Sequence, residues 1–259
     1  MRNFRLGALF ALQFFSVFPI RRNIEPTTRT VRSSLRWLPI LGLSIGTFNA
    51  LMFYGLDSLT SLSLLSLIVF AIIIPAIWSG GLHLDGLMDT GDAFFSYQDK
   101  HKRLEVMKDP RTGAFGVLVL LVVLIIRFVF MYEAFLSDFS VIGFLIVVPL
   151  LSRCMMMLLL GHGTSARESG LCYFFKKHYN RSVTYWIIGL TLVVCAAMAF
   201  LSSYHFIISL AMILASIIVM WGVRVWAIRS FGGITGDVCG ALLEGTETCL
   251  WFIVWLFYI

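Results

Sequence analysis

Charge is what this chain has least of. Only 13% of its 259 residues are Asp, Glu, Lys or Arg, against about 25% in an ordinary soluble domain. With 59% hydrophobic residues and a mean hydropathy of +0.90, that scarcity excludes a soluble globular protein. It leaves an all-α, polytopic integral membrane helical bundle, read as a single domain over residues 1–259. The five cysteines have no CxxC spacing, and Cys154 and Cys195 sit inside apolar runs. A disulfide framework and a zinc site are therefore not expected, and the thiols read as reduced packing residues. The opening MRNFRLGALFALQFFSVFP imitates a signal peptide, but no small-x-small cleavage site follows it. That run is short for a crossing of about 20 residues, so a helix at the interface, or half inserted, is expected. No repeat of solenoid length is present; Thr90-Gly91-Asp92 and Thr235-Gly236-Asp237 share a tripeptide and nothing longer. The net charge of +6 is spread over several short loops. That distribution argues against a nucleic-acid partner and for the lipid bilayer.

What is present is a set of long apolar runs at 37–56, 61–79, 114–133, 139–160, 183–202 and 205–228, with a short terminal run at 249–259. Each of the six is long enough to cross about 30 Å of hydrocarbon at about 1.5 Å per residue. The expected architecture is thus six full spans, a short N-terminal interfacial or half-inserted helix and a short C-terminal hydrophobic helix. The connections near 57–60, 134–138 and 203–204 contain no Lys or Arg, whereas 20–36, 80–113, 161–182 and 229–248 hold 15 of the 20. Positive charge marks the cytoplasmic side. All four long loops, and any site built from them, are therefore expected to face the cytoplasm of a multi-pass protein of the cell (inner) membrane.

The charge that exists is concentrated. Residues 80–116 carry five Asp, one Glu, two His and five Lys or Arg between two apolar runs. Asp85, Asp89 and Asp92 fall at i, i+4 and i+7, within roughly 60° of one another on a helix. Three carboxylates on one stripe repel unless a cation sits among them, and a shared Mg²⁺ or Mn²⁺ would relieve that repulsion. Ordinary acids at a solvated helix end are the competing account. His83 points about 160° away from Asp85 on the same helix, which makes it a pocket wall or substrate contact. Further on, Lys108, Asp109 and Arg111 surround Pro110, and Gly113 and Gly116 follow at the start of the next span. Cations, flexible backbone and a helix N-terminus suit phosphate, although the sequence is not a Walker A motif. In GGITGDVCGALLEGTE, Asp237, Glu244 and Glu247 can share one helical face; interfacial acids fit that pattern equally well. Arg127 and Arg153 lie inside spans, where charge is costly and is functional or paired. Arg153 is about 12 Å along a helix from Gly161, within reach of the interface or of a diphosphate. For Arg127 the expected partner is Glu133. The sum of these readings is metal-assisted phosphoryl transfer at a membrane surface.

GGLHLDGLMDTGDAF, EVMKDPRTGAFG and GGITGDVCGALLEGTE, in this order among the spans, closely resemble the cobalamin (5′-phosphate) synthase family, the adenosylcobinamide-GDP ribazoletransferases. The likeness covers essentially the whole chain, with Ala93, Pro110 and Thr112 as small departures from the family's usual residues. It implies a Mg²⁺-dependent membrane enzyme whose substrates are adenosylcobinamide-GDP and α-ribazole or its 5′-phosphate. The family's acidic motif maps onto His83, Asp85, Asp89 and Asp92, its basic motif onto Lys108, Asp109, Arg111 and Gly113, and its C-terminal motif onto Asp237, Glu244 and Glu247. On that reading Asp85, Asp89, Asp92 and Asp237 hold the metal, Asp92 doubles as base, and Lys108 and Arg111 offset phosphate charge. His83, Asp109, Gly113, Arg153, Glu244 and Glu247 contact substrate. A homo-oligomer is left open. Two other classes compete. A CDP-alcohol phosphotransferase would show DG and AR ahead of G-x3-D-x3-D, and here no AR follows DG. A cation-coupled transporter would carry its acids at midplane breaks in opposed repeats.

Overall fold

The computed structural model describes residues 2–259, with side chains from Asn3 onward. It is helical throughout; among the described residues the one extended pairing is an isolated bridge between Ser165 and Ile234. In chain order the helices are α1 (Arg2–Phe15), α2 (Thr28–Leu59), α3 (Leu64–Trp78), α4 (Leu82–Ser96), α5 (Lys100–Val106), α6 (Ala114–Ser137), α7 (Phe144–His162), α8 (Gly170–His178), α9 (Arg181–Leu201), α10 (Ser203–Phe231) and α11 (Gly236–Tyr258). Six are long and apolar enough to cross a bilayer: α2, α6, α7 with its 3-10 lead-in Phe139–Gly143, α9, α10 and α11. The protein is therefore a polytopic membrane helical bundle. α1 has 14 residues, as its short apolar run implies.

The set of six differs from the expected one at two places. The run 61–79 forms α3, whose 15 residues reach only about 22 Å. It stops because Gly80 (φ 64°) and Gly81 (φ 73°) enter the left-handed region, which residues with a Cβ adopt only at a cost of about 1–2 kcal/mol. The chain turns by 91° there, and α4 packs against α6 and α11, with Asp92 against Gly113 and Met88 against Gly116. Conversely, 249–259 is no separate short helix. It is the second half of α11, whose 23 residues absorb most of the expected loop 229–248. Thr235 caps that helix by accepting a hydrogen bond from the Val238 amide at 3.2 Å, which satisfies one of its orphan N–H groups.

Small residues set how closely these helices approach. α2 packs along the deeply buried α7 through Gly42, which lies directly on the Pro149 carbonyl, and Gly46, where an added Cβ would lie 2.6 Å from the Leu145 oxygen. The same device holds α4. Gly86 abuts the Asp237 backbone, Gly240 of α11 abuts His83, and Gly116 of α6 abuts Met88, with would-be Cβ contacts of 2.9, 3.1 and 2.7 Å. α4 is thus clamped between α11 and α6. The glycines of the acidic stretch are what bring its carboxylates against the first turn of another helix.

Candidate active site

The three aspartates of α4 do share a face, and α11 adds a fourth. Asp89 is half-buried, and burial, then the negative charges of Asp85, Asp237 and Asp92, push its carboxyl up to about 7. Asp237 sits in the first turn of α11, where Thr235 Oγ1 donates to its Oδ2 at 3.2 Å and Arg167 Nη2 approaches at 3.5 Å. Arg167 is held there because residues 164–166 pair with Ile234: the Ile234 amide donates to Thr164 O at 2.7 Å, and Ala166 N to Ile234 O at 3.0 Å. Among the described residues no Lys or Arg bridges Asp85, Asp89 or Asp92. The negative charge of α4 is therefore left without a protein counter-ion.

Asp92 rests its carboxylate directly against Gly113, the N-cap of α6. The helix N-terminus where phosphate was expected is faced by this acid, whose charge the positive end of the helix favours. Gly113 is glycine for want of room and not for conformation, since its backbone is extended (φ −84°, ψ 164°). Gly113→Ala is accordingly expected to leave stability within about 1 kcal/mol, to displace Asp92, and to lower turnover by roughly tenfold to a hundredfold. Paired melting and rate measurements check this, and an unchanged rate would remove Asp92 from the chemistry.

The Lys108–Arg111 loop lies on the same side. Met107 is buried under the Thr235 hydroxyl, which donates to its sulfur at 3.8 Å, so the loop begins beside the cap of α11. Lys108 is exposed. Asp109 grips the exposed Arg111 guanidinium, accepting at 2.6 and 2.9 Å, and those hydrogen bonds lower its own carboxyl to about 2. Asp109 thereby orients Arg111. His83 is buried beneath Gly240, and burial, aided by the Arg153 charge, lowers it to about 3. It stays neutral and lines a cavity of about 250 Å³ together with Asp85, Arg167, Cys172, Asp237 and Cys239.

Arg127, Arg153, Glu244 and Glu247 sit elsewhere than expected. Glu244 and Glu247 are two and three turns inside α11, buried in the bundle. Arg127 Nη2 donates to Glu244 Oε2 at 2.8 Å and Nη1 to Glu247 Oε2 at 3.2 Å, while Arg153 Nη1 donates to Glu247 Oε1 at 3.1 Å. Arg127 has no part in a pair with Glu133, and Arg153 is buried instead of reaching the interface. In place of the substrate contacts expected of Arg153, Glu244 and Glu247, the charges satisfy one another.

Four carboxylates, of which only Asp237 has an arginine beside it, are a donor set for a hard divalent cation. Among the described residues, however, no three His, Cys, Asp or Glu side chains stand close enough to ligate one ion by themselves. That open arrangement suits Mg²⁺, which keeps its waters and is held by one or two carboxylates plus substrate phosphates. Arg167, Cys172 and Cys239 were not legible as site residues, because the pairing of 164–166 with 234 and the placing of α8 beside α11 have no local signal.

The family model described as cobalamin-5-phosphate synthase matches residues 7–255. The chain is 41% identical over 254 residues to an adenosylcobinamide-GDP ribazoletransferase of Geobacillus sp. (strain WCH70), covering 96% of this chain and 95% of that one. It is 39% identical over 255 residues to the protein of that name from Geobacillus kaustophilus, covering 97% and 96%. Against the one from Acinetobacter baumannii the figures are 35% over 253 residues, 96% and 97%. No solved structure matches the chain.

Proposed function

This chain belongs to the cobalamin-5-phosphate synthase family, and from that premise we propose that it joins adenosylcobinamide-GDP to α-ribazole or its 5′-phosphate with release of GMP. The observation that carries the reading is the grouping of Asp85, Asp89, Asp92 and Asp237, with Asp85 and Asp237 lining a cavity and Asp92 against Gly113 at the end of the Lys108–Arg111 loop. A ribose hydroxyl attacks the cobinamide-linked phosphorus; the new O–P bond forms as the bond to GMP breaks. Asp92 takes the hydroxyl proton, and GMP departs with the electron pair of the broken bond. Asp85 and Asp89, with Asp237, would hold Mg²⁺. When bound, the ion supplies charge neutralisation on the diphosphate and draws the carboxylates together. Lys108 and Arg111 meet charge on the transferred and departing phosphates, with Asp109 fixing the guanidinium. The diphosphate is already activated, so the protein's contribution is positioning and electrostatics.

The face carrying the site is taken as cytoplasmic because 15 of the 20 Lys and Arg fall in the connections 20–36, 80–113, 161–182 and 229–248. The test is direct. Purified protein in nanodiscs is given adenosylcobinamide-GDP, α-ribazole and Mg²⁺, and GMP is quantified against new corrinoid product. GMP equal to product, falling at least about a hundredfold on removal of Mg²⁺ with chelator and returning on its readdition, is the expected result. GMP release that does not need α-ribazole would make the protein a hydrolase and overturn the reading.

A further inference from the structure

Two cavities, not one, reach the acidic face, and Asp85 and Leu82 line both. The first, about 250 Å³, is walled by Met156, Met157, Cys172, Phe175 and Cys239, with Arg167 and Asp237 at its polar edge. The second, about 650 Å³, is a broader and more open groove past Phe14, Ser16, Gly80, Gly81, Met88 and Leu120. Leu120 belongs to span α6, so the groove runs to the bilayer edge. The left-handed glycine pair contributes no side chains, and it leaves a flat floor where the chain turns by 91°.

From this division, and resting on the function proposed above, we infer that the two substrates approach Asp85 from opposite sides. α-Ribazole fills the closed cavity, and the corrin ring of adenosylcobinamide-GDP lies in the open groove. Size sets the assignment. At about 250 Å³ the first cavity lies just under the range of pockets for drug-sized ligands, about 300–1,000 Å³, so it suits a bicyclic aromatic base with its ribose, whereas the more open groove lets a macrocycle lie partly outside the protein. Its polarity agrees: an apolar sulfur- and aromatic-lined wall suits the base, and Arg167 with Asp237 at the edge suits ribose hydroxyls. The groove has the width, the Ser16 hydroxyl and a border on lipid that a large amphiphilic ring with an amide rim requires. In-line displacement puts the attacking ribose oxygen opposite the departing GMP; the corrin stays on phosphorus and takes neither position, so a groove of its own leaves that line free.

Two tryptophans at the respective mouths separate the assignments. Ser169→Trp, at the exposed lip of the closed cavity, should raise the KM for α-ribazole by at least about tenfold and leave that for the corrinoid within about twofold. Leu120→Trp, in the groove, should do the reverse. Each ligand alone, added to each variant and followed by thermal protection, gives the same readout without turnover. Crossed effects, or both KM values rising together in either variant, would overturn the inference. If the unmodified protein makes no GMP, the proposed reaction has failed instead. Protection by α-ribazole that Ser169→Trp abolishes and Leu120→Trp preserves would still report the closed cavity, and loss of protection in both variants, or in neither, would reject it.

Discussion

Asp89→Asn is expected to abolish turnover and, in metal-free protein, to raise stability. The two effects have one cause. The Asp89 carboxyl is pushed up to about 7 by burial and by the charges of Asp85, Asp237 and Asp92, against about 3.9 in an unfolded chain. Between those values the unfolded chain has released a proton that the folded protein keeps, so metal-free stability falls as pH rises from about 4 to about 7. Asn cannot ionise and removes that slope. In detergent with chelator, the melting temperature of Asp89→Asn at pH 8 should exceed that of the unmodified protein by about 2–4 °C, equivalent to about 1 kcal/mol. Mg²⁺ should raise the unmodified protein's melting temperature above pH 7 and leave the variant's unchanged. Turnover should drop by about a thousandfold, or about 4 kcal/mol of transition-state stabilisation. Asp85→Asn should lower the rate similarly while keeping a pH slope, because Asp89 still titrates. A variant that keeps full Mg²⁺-dependent turnover would show that Asp89 is only a neighbour of the chemistry.

The acidic face was legible in the sequence because its information is local. Asp85, Asp89 and Asp92 needed only a helix to align them, and the helix forms as expected. The boundaries of two spans were not legible, and each miss has a physical reason. Gly80-Gly81 reads as a loop start, and α3 does end there, at Trp78; what was not legible is the 91° turn into α4 and its seat between α6 and α11, which depends on those helices receiving it. α11 was cut in two because Glu244 and Glu247 interrupt its apolar run. Charges inside a span look prohibitive until their partners are known, and the partners lie 120 and 94 residues away, at Arg127 and Arg153. Glu133, the local candidate for Arg127, is six positions on and about 120° round the same helix, so it could not fold back. The phosphate-like start of α6 was legible as a glycine-led helix. That Asp92 would fill it was not, since that follows from how α4 crosses α6.

Arg127→Leu should be among the most destabilising single changes in the protein, and adding Glu244→Leu should restore most of the loss. Arg127 makes four hydrogen bonds in the bundle: to Glu244 Oε2 at 2.8 Å, the Glu244 carbonyl at 2.7 Å, Glu247 Oε2 at 3.2 Å and Thr248 Oγ1 at 3.1 Å. Its side chain is 7% exposed, and those of Glu244 and Glu247 are 8% and 7% exposed. The cluster of two arginines and two glutamates is neutral. Removing Arg127 leaves one buried negative charge without compensation, and breaking a buried pair in this way costs about 3–5 kcal/mol. Removing Glu244 as well leaves Arg153 and Glu247 as a balanced pair, still joined at 3.1 Å and still bonded to the Ser152 hydroxyl at 3.1 Å. Apolar replacement of a whole buried ion pair is often neutral. The double-mutant cycle should therefore give a coupling of about 2 kcal/mol or more, far from additive. Melting in detergent measures the cycle, and simple addition of the two single losses would refute it. The activity of the double variant then separates two roles for the cluster. If its purpose is to fix the register of α11, and through it Asp237 two turns nearer the acidic face, restored folding should bring back turnover to within about tenfold. A folded double variant with no GMP release would mean that Glu244 does more than hold α11 in place.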